Sequence, residues 1–261
     1  MYTERNKLYH GDCLELMNKV EPMSIDMILC DLPYGTTACR WDSIVPFEQL
    51  WEAYKRIIKP DRAVVLFGSE PFSSLLRTSN PSWFRYDWIW DKVRPSGFQI
   101  AKYAPMKRHE IISVFSGKTP KWWPIMEKRA MEVSGLARTH SDSSPLKYID
   151  GIKRTYTHKN PQSILVFNKG GDGRYLHPTQ KPVALFEYLI KTYTQPGELV
   201  LDNCSGSGTT AIACLNTQRD FILIEKDEEY YELSKKRILD HQNGMKGLSN
   251  ESQGIQSCLF G

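Results

Sequence analysis

Leu199-Val-Leu-Asp202-Asn-Cys-Ser-Gly206-Ser-Gly208-Thr209-Thr decides the reading of this chain. A short apolar run ends on a carboxylate, two glycines follow, and Thr209 to Asn216 has helical spacing. This is a strand, a glycine turn and a helix start. Glycine lets the backbone turn sharply and approach a ligand with no Cβ in the way. Glu225 follows 17 residues after Gly208, at the end of the next apolar run, Phe221 to Glu225. A carboxylate there can accept hydrogen bonds from both hydroxyls of a ribose, as the acidic residue about 20 residues on does in nucleotide folds. The loop reads as a site for an adenosine-containing cofactor. An ordinary strand-to-helix turn is the competing reading.

The flanking sequence repeats the strand-then-helix pattern. Ser24 to Cys30 reads as a buried strand, Phe47 to Ile58 as a helix with Pro46 near its start, and Ala63 to Phe67 as the next strand. Phe72 to Arg77 is helical, and Phe84 to Trp90 and Ile111 to Phe115 are strands. Lys181 to Thr194 and Glu228 to Leu239 are helices. Alternation of this kind implies an α/β fold with a mostly parallel, helix-covered sheet. The stretch Lys118 to Asn160 breaks the pattern and reads as an insertion. The expected organisation is 1–117 and 161–240 as two halves of one domain, 118–160 inserted between them, and 241–261 as a flexible polar tail.

The whole chain has 261 residues, 41% hydrophobic and 25% charged, a globular composition with no run long enough for a membrane helix. Six scattered cysteines without a C-x-x-C pair disfavour a disulfide framework or zinc knuckle and fit a reducing cytoplasm. His109 and Glu110 lack a second histidine at ligand spacing, so no metal site is expected. The net charge of +4 is uneven. Arg85 to Lys181 carries 18 Lys and Arg against 8 Asp and Glu, as a polyanion-binding insertion would. A solvated mixed surface accounts for the same charges.

A second loop, Asp31-Leu32-Pro33-Tyr34, also follows a strand, so both loops should open on the carboxyl edge where open α/β sheets bind ligands. Asp31 and a backbone carbonyl beside Pro33 can accept hydrogen bonds from an exocyclic amine, and Tyr34 offers a face to a flat base. Acceptors that pull the amine hydrogens out of plane free its lone pair to attack a sulfonium methyl. A base in a duplex must first be flipped out, and stacking on Tyr34 would offset part of that cost. The glycine loop has no phosphate-facing Lys, which fits the phosphate-free S-adenosylmethionine. A nicotinamide oxidoreductase is the outside alternative.

Taken together the chain resembles the amino-group DNA methyltransferases, which methylate adenine N6 or cytosine N4. Their (D/N/S)-P-P-(Y/F) signature is matched by Asp31 to Tyr34, and their D-P-F-x-G-S-G-T loop by Asp202 to Thr209. Their H-P-T-Q-K-P signature is matched by His177 to Pro182. Catalytic loop, recognition region, then cofactor loop is the order of the β group. The resemblance implies a Rossmann-like S-adenosylmethionine-dependent fold with an inserted target recognition region. It implies catalytic roles for Asp31, Pro33 and Tyr34. It implies cofactor contacts from Asp12, Cys13, Asp31, Thr179, Lys181, Asp202, Ser205, Gly206, Ser207, Gly208, Thr209 and Glu225. Lys121, Trp122, Lys128, Arg129, Arg138, Lys153 and Arg154 in the insertion become DNA contacts. Lys92 and Arg94 are either DNA-backbone contacts or surface ion pairs. The Trp122-Trp123 pair is either core of the insertion or a wedge against bases. Double-stranded DNA is the implied partner, with a second copy of the chain and a cognate restriction endonuclease as further ones, in a bacterial or phage-infected cytoplasm. Asp31 at the head of the loop favours adenine N6, with cytosine N4 or an inactive DNA-binding protein as alternatives. Leu32 and Asn203-Cys204 depart from the family pattern.

Overall fold

The computed structural model describes residues 4–35, 43–136, 153–169 and 180–258. The chain forms two compact units, one of Met1–Trp123 with Ser163–Gly261, and a second of Pro124–Gln162.

The first unit is built on an eight-stranded sheet. Its strands are β1 (Lys7–His10), β2 (Ile25–Cys30), β3 (Ile58–Gly68), β4 (Phe84–Ser96), β5 (Lys107–Phe115), β8 (Ile164–Val166), β9 (Leu199–Asp202) and β10 (Asp220–Glu225). Their order is β1-β10-β9-β2-β3-β5-β4-β8, and only β5 runs against its neighbours. The helices are α1 (Cys13–Met17), α2 (Phe47–Ile57), α3 (Phe72–Ser79), α4 (Val183–Tyr193), α5 (Thr209–Thr217) and α6 (Glu228–Cys258).

All six residues of β2 are buried. Alternate side chains enter opposite layers, as the two-residue period of a strand requires. Met27 and Leu29 join a core with Phe67, Leu185, Phe186, Ile190 and Ile212. Ile28 and Cys30 join another with Met17, Leu50, Tyr54, Phe72 and Leu201. A strand covered on both faces reads as a continuous apolar run, which is why its composition marked it. Its one charge, Asp26, is buried but takes Lys59 Nζ at 2.6 Å, Arg62 at 3.0 Å and the Leu199 amide at 3.1 Å.

On α2, Leu50, Trp51, Tyr54 and Ile57 face inward, Glu48 sits in the first turn, and Lys55 and Arg56 sit in the last. Both charge placements oppose the helix dipole. The helix ends at Ile57, one residue short of the expected Ile58, which turns extended and starts β3. β1, α1 and β8 have no counterpart in the sequence reading, because four, five and three residues carry too few repeats to show a period. Helix α6 runs to Cys258, through residues 241–258 that their polarity marked as a tail. Polarity removes a buried face but not the intrahelical hydrogen bonds.

The second unit holds an antiparallel pair, β6 (Glu127–Leu136) and β7 (Lys153–Lys159). Lys159 Nζ meets Glu127 at 2.7 Å across the pair. Trp122 and Trp123 lie outside it. Trp122 stacks on Trp88 with centroids 5.6 Å apart and meets Tyr86 and Tyr193 edge-on. The Trp123 amide donates to the Thr192 carbonyl. Trp122 therefore belongs to an aromatic cluster of the first unit, Trp123 lies beside Arg62 of the same unit, and core of the insertion does not describe the pair.

Candidate active site

The strand order places the site. The chain passes from β2 outward to β3 and from β9 outward to β10, in opposite directions, so the loops after the adjacent strands β2 and β9 part and leave a crevice. Open α/β sheets bind ligands at such a switch point. A cavity of about 530 Å³ lies there, lined from both loops, within the roughly 300–1,000 Å³ range of cofactor sites.

On the β9 side the walls are mostly backbone. Gly206 and Gly208 have φ of +50° and +74°, which glycine adopts without a Cβ penalty. A Cβ on Gly206 would meet nothing within 4 Å, so its bare backbone faces open space. A Cβ on Gly208 would collide with Ser234 Oγ. The Gly206 amide donates to Glu225 Oε2 at 2.7 Å and the Asp227 amide to Oε1 at 2.9 Å. Burial pushes the Glu225 carboxyl up, and these backbone donors offset part of that. Asp202 accepts from the Cys204 amide at 3.1 Å and from the Thr210 hydroxyl. Burial outweighs both bonds and raises its carboxyl to about 7. Asp12 caps α1, accepting from the Leu14 amide at 3.0 Å, and meets Lys226 Nζ at 3.1 Å. Because β1 lies beside β10 with His10 opposite Glu225, Asp12 and Cys13 arrive at the same cavity. Cys204 and Cys13 line it together, and Asn203 turns inward to accept from the buried Tyr54 hydroxyl at 2.6 Å.

On the β2 side the walls are side chains. Leu32 is buried in the core beside Ile28 and Leu50, so the departure from proline is filled by packing. Tyr34 donates its hydroxyl to Asp31 Oδ1 at 2.6 Å and stacks one face on Phe72, with centroids 4.9 Å apart. Lys181 Nζ donates to Asp31 Oδ2 at 2.6 Å and lies 3.2 Å from Glu110 Oε2. The Lys181 ammonium is also 5.4 Å from the Phe67 ring centroid and 6.0 Å from those of Tyr34 and Trp90. Behind it, Lys92 Nζ sits 3.4 Å from Glu110 Oε1. Burial raises the Asp31 carboxyl, with the Lys181 ammonium pulling the other way. Burial also works against charge on Glu110, but Lys181 and Lys92 outweigh it and hold that carboxyl below its usual range.

Asp31, Pro33, Tyr34, Lys181, Asp202, Ser205, Gly206, Ser207, Thr209 and Glu225 all line this cavity with Asp12 and Cys13. Thr179 and Arg138 lie outside the described residues. Lys92 does not reach a surface. Its side chain is buried and its ammonium faces Glu110 and Ser96, so the sequence expectation of a DNA-backbone contact or a surface ion pair gives way to a buried one. Arg94 is exposed, as is Lys128 on β6. Arg129 donates to the His158 carbonyl at 3.2 Å, and Lys121 meets Asp61 at 3.4 Å in the first unit. Lys153 and Arg154 fall on β7.

Sequence reasoning weighed Glu110 only as a metal ligand and passed over Lys169; both stand in the cavity wall. Glu110 bounds an apolar strand, where a carboxylate is ordinary. Only its position one residue beyond the register of β5 with the end of β3 puts it at the carboxyl edge.

The described residues include no helix long and apolar enough to cross a membrane. The chain is 29% identical to the Escherichia coli protein named DNA adenine methyltransferase YhdJ, over 90% of this chain and 83% of that one. Its fold matches the structure of an M1.HpyAVI–SAM complex with a TM-score of 0.61 at 25% identity, covering 89% of this chain and 98% of that one. It also matches the cytosine-N4-specific PvuII DNA methyltransferase with a TM-score of 0.62 at 18% identity, covering 92% of each chain. The family model described as DNA methylase matches residues 25–236, from β2 into the last helix, and the chain belongs to that DNA methylase family.

Proposed function

We propose that this chain transfers a methyl group from S-adenosylmethionine to the exocyclic N6 amine of an adenine flipped out of duplex DNA. The observation that carries this is the cavity shared by two loops, one holding Asp31-Leu-Pro-Tyr34 and the other the glycine turn with Ser205, Gly206 and Ser207 in the lining. The name of the Escherichia coli relative supports adenine.

The residues present fit the cofactor. Gly206 leaves space where a Cβ would stand, and the buried Ser205 Oγ has no hydrogen-bond partner among the described residues. Glu225 would hold the ribose, the backbone of Gly206 to Gly208 would pass under the methionine part, and Asp12 and Cys13 would border the adenine. S-adenosylmethionine supplies an electrophilic methyl group. Asp31 and a carbonyl beside Pro33 take the amine hydrogens and orient the lone pair, which is positioning and electrostatics with no covalent enzyme intermediate. Tyr34, braced by Phe72, presents its other face to the base. Because burial raises the Asp31 carboxyl, it is suited to take the proton that the methylated amine sheds. Lys128, Arg129, Lys153 and Arg154 of the second unit and Arg94 of the first are the proposed DNA contacts. Lysines and arginines on phosphates supply affinity, and base contacts supply specificity. A second copy of the chain and a cognate restriction endonuclease are further partners in this proposal, tested by sedimentation and by protection of methylated DNA from cleavage.

The deciding experiment incubates the protein with methyl-labelled S-adenosylmethionine and unmethylated genomic DNA, then identifies the labelled nucleoside. Labelled N6-methyladenine is the expected result. N4-methylcytosine would move the target base, and no label with both ligands bound would overturn the reading.

A further inference from the structure

Near Asp31 stands a carboxylate, Glu110, that the chemistry above does not use. Asp31 has both oxygens engaged, Oδ1 by the Tyr34 hydroxyl and Oδ2 by the Lys181 ammonium, each at 2.6 Å. An amine that takes the place of the ammonium on Oδ2 sends Lys181 elsewhere. Tyr34 is held by its stack on Phe72. Lys181 has an alternative. Glu110 Oε2 lies 3.2 Å from its Nζ, without hydrogen-bond geometry and with no other hydrogen-bond donor among the described residues. The ammonium is thus already shared between the two carboxylates, closer to Asp31 than to Glu110. The other Glu110 oxygen faces Lys92, itself buried, which fixes the carboxylate from behind.

We propose that Glu110 is a positioning residue for methyl transfer. It is a second seat for the Lys181 ammonium, taken when the target amine replaces that ammonium at Asp31 Oδ2. Lys92 keeps the seat in place. This rests on the reading of Asp31 as the amine acceptor. The exchange keeps the count of buried charges constant. Asp31, Glu110, Lys181 and Lys92 keep their charges before and after, and Lys181 passes from a pair shared with Asp31 to one with Glu110. A pair of Asp31 and Lys181 alone would have to expose or strand a charge to admit the amine, which a low-dielectric site resists. The Phe67 and Trp90 rings beside Lys181 hold the cation during the shift through their faces.

Glu110→Gln removes the charge of the second seat and leaves its shape. Lys181 then stays on Asp31, and the amine competes with it. The expected result is a loss in kcat of about tenfold to hundredfold, with KM for DNA and calorimetric affinity for S-adenosylmethionine within about twofold. Glu110→Asp should recover part of the loss. In a Lys181→Met background, where no ammonium needs a seat, Glu110→Gln should cost nothing more, because the two residues act as one unit. Full kcat in folded Glu110→Gln, or an undiminished further loss in the Lys181→Met background, would overturn the inference. If Glu110→Gln does not fold, Lys92→Met carries the same test, with a kcat loss of the same sign and the same cancellation in the Lys181→Met background. A wild-type chain that labels no DNA would instead sink the function itself, which separates the two failures.

Discussion

The two loops that meet in the cavity are held in different ways. The loop after β9 is fixed by its own neighbourhood: the Cys204 amide donates to Asp202, the Gly208 amide to the Ser205 carbonyl, and the Gly206 amide to Glu225 on the next strand. The loop after β2 is fixed by residues far along the chain, Phe72, Glu110 and Lys181. One is a backbone mould, and the other is a charge assembly. Substitutions in the first should act through shape and binding, and substitutions in the second through chemistry. Four experiments can break or sharpen that division.

The largest effect is expected at Asp31. Asp31→Ala removes the acceptor for the amine and strands the Lys181 ammonium. Methyl transfer should fall by about 10²–10³-fold or more, while calorimetry finds the cofactor still bound. Near-normal turnover would erase the distinction between the loops. Glu225→Ala should do the reverse. It removes the carboxylate that both backs the glycine turn and faces the cavity, so affinity for S-adenosylmethionine should fall by about tenfold to hundredfold. Unchanged affinity would refute its ribose role.

Gly208→Ala tests whether the mould is a matter of shape. The added Cβ meets Ser234 Oγ, and φ of +74° is unfavourable for alanine. A loss of about 1–3 kcal/mol in chemical denaturation is expected. Ser234→Ala should recover part of it, since the nearest clash is with that oxygen. No recovery would show the cost to be in the backbone alone.

The smallest effect concerns Asp202. Its folded carboxyl, at about 7, titrates well above the ordinary aspartate value of 3.8 because it is buried. Between those limits the folded state binds more protons than the unfolded one. Stability from this group is therefore greatest below the lower limit and declines as pH rises through the folded value. Asp202→Asn should flatten that decline in denaturation measured across the window. An unaltered slope would place the titration elsewhere.

Much of this architecture was legible in the residue pattern. The apolar run before Asp31, the spacing from Leu50 to Ile57 and the glycine turn each declare themselves over fewer than about a dozen residues, because strand burial, helix period and positive φ are local constraints. Short elements escaped for the same reason. Three or four residues at β8 and β1 hold no period to read. The site divided along the same line. The glycine loop and Glu225 could be paired from spacing alone, since adjacent parallel strands bring consecutive loops together.

The sequence by itself determined the alternation of strands and helices, the two turns after β2 and β9 and the order in which they occur. Tertiary structure decided what stands around the Asp31 carboxylate. The residue numbers 31, 110 and 181 imply no proximity. The chain starts on the edge strand β1, crosses from β2 and β3 to β4, β5 and β8, and returns to β9 and β10, and only that strand order sets Lys181 between Asp31 and Glu110 and turns Lys92 inward. A turn is specified by the dihedral freedom of the residues within it. An ion pair across 150 residues is specified by the packing that makes burying those charges tolerable.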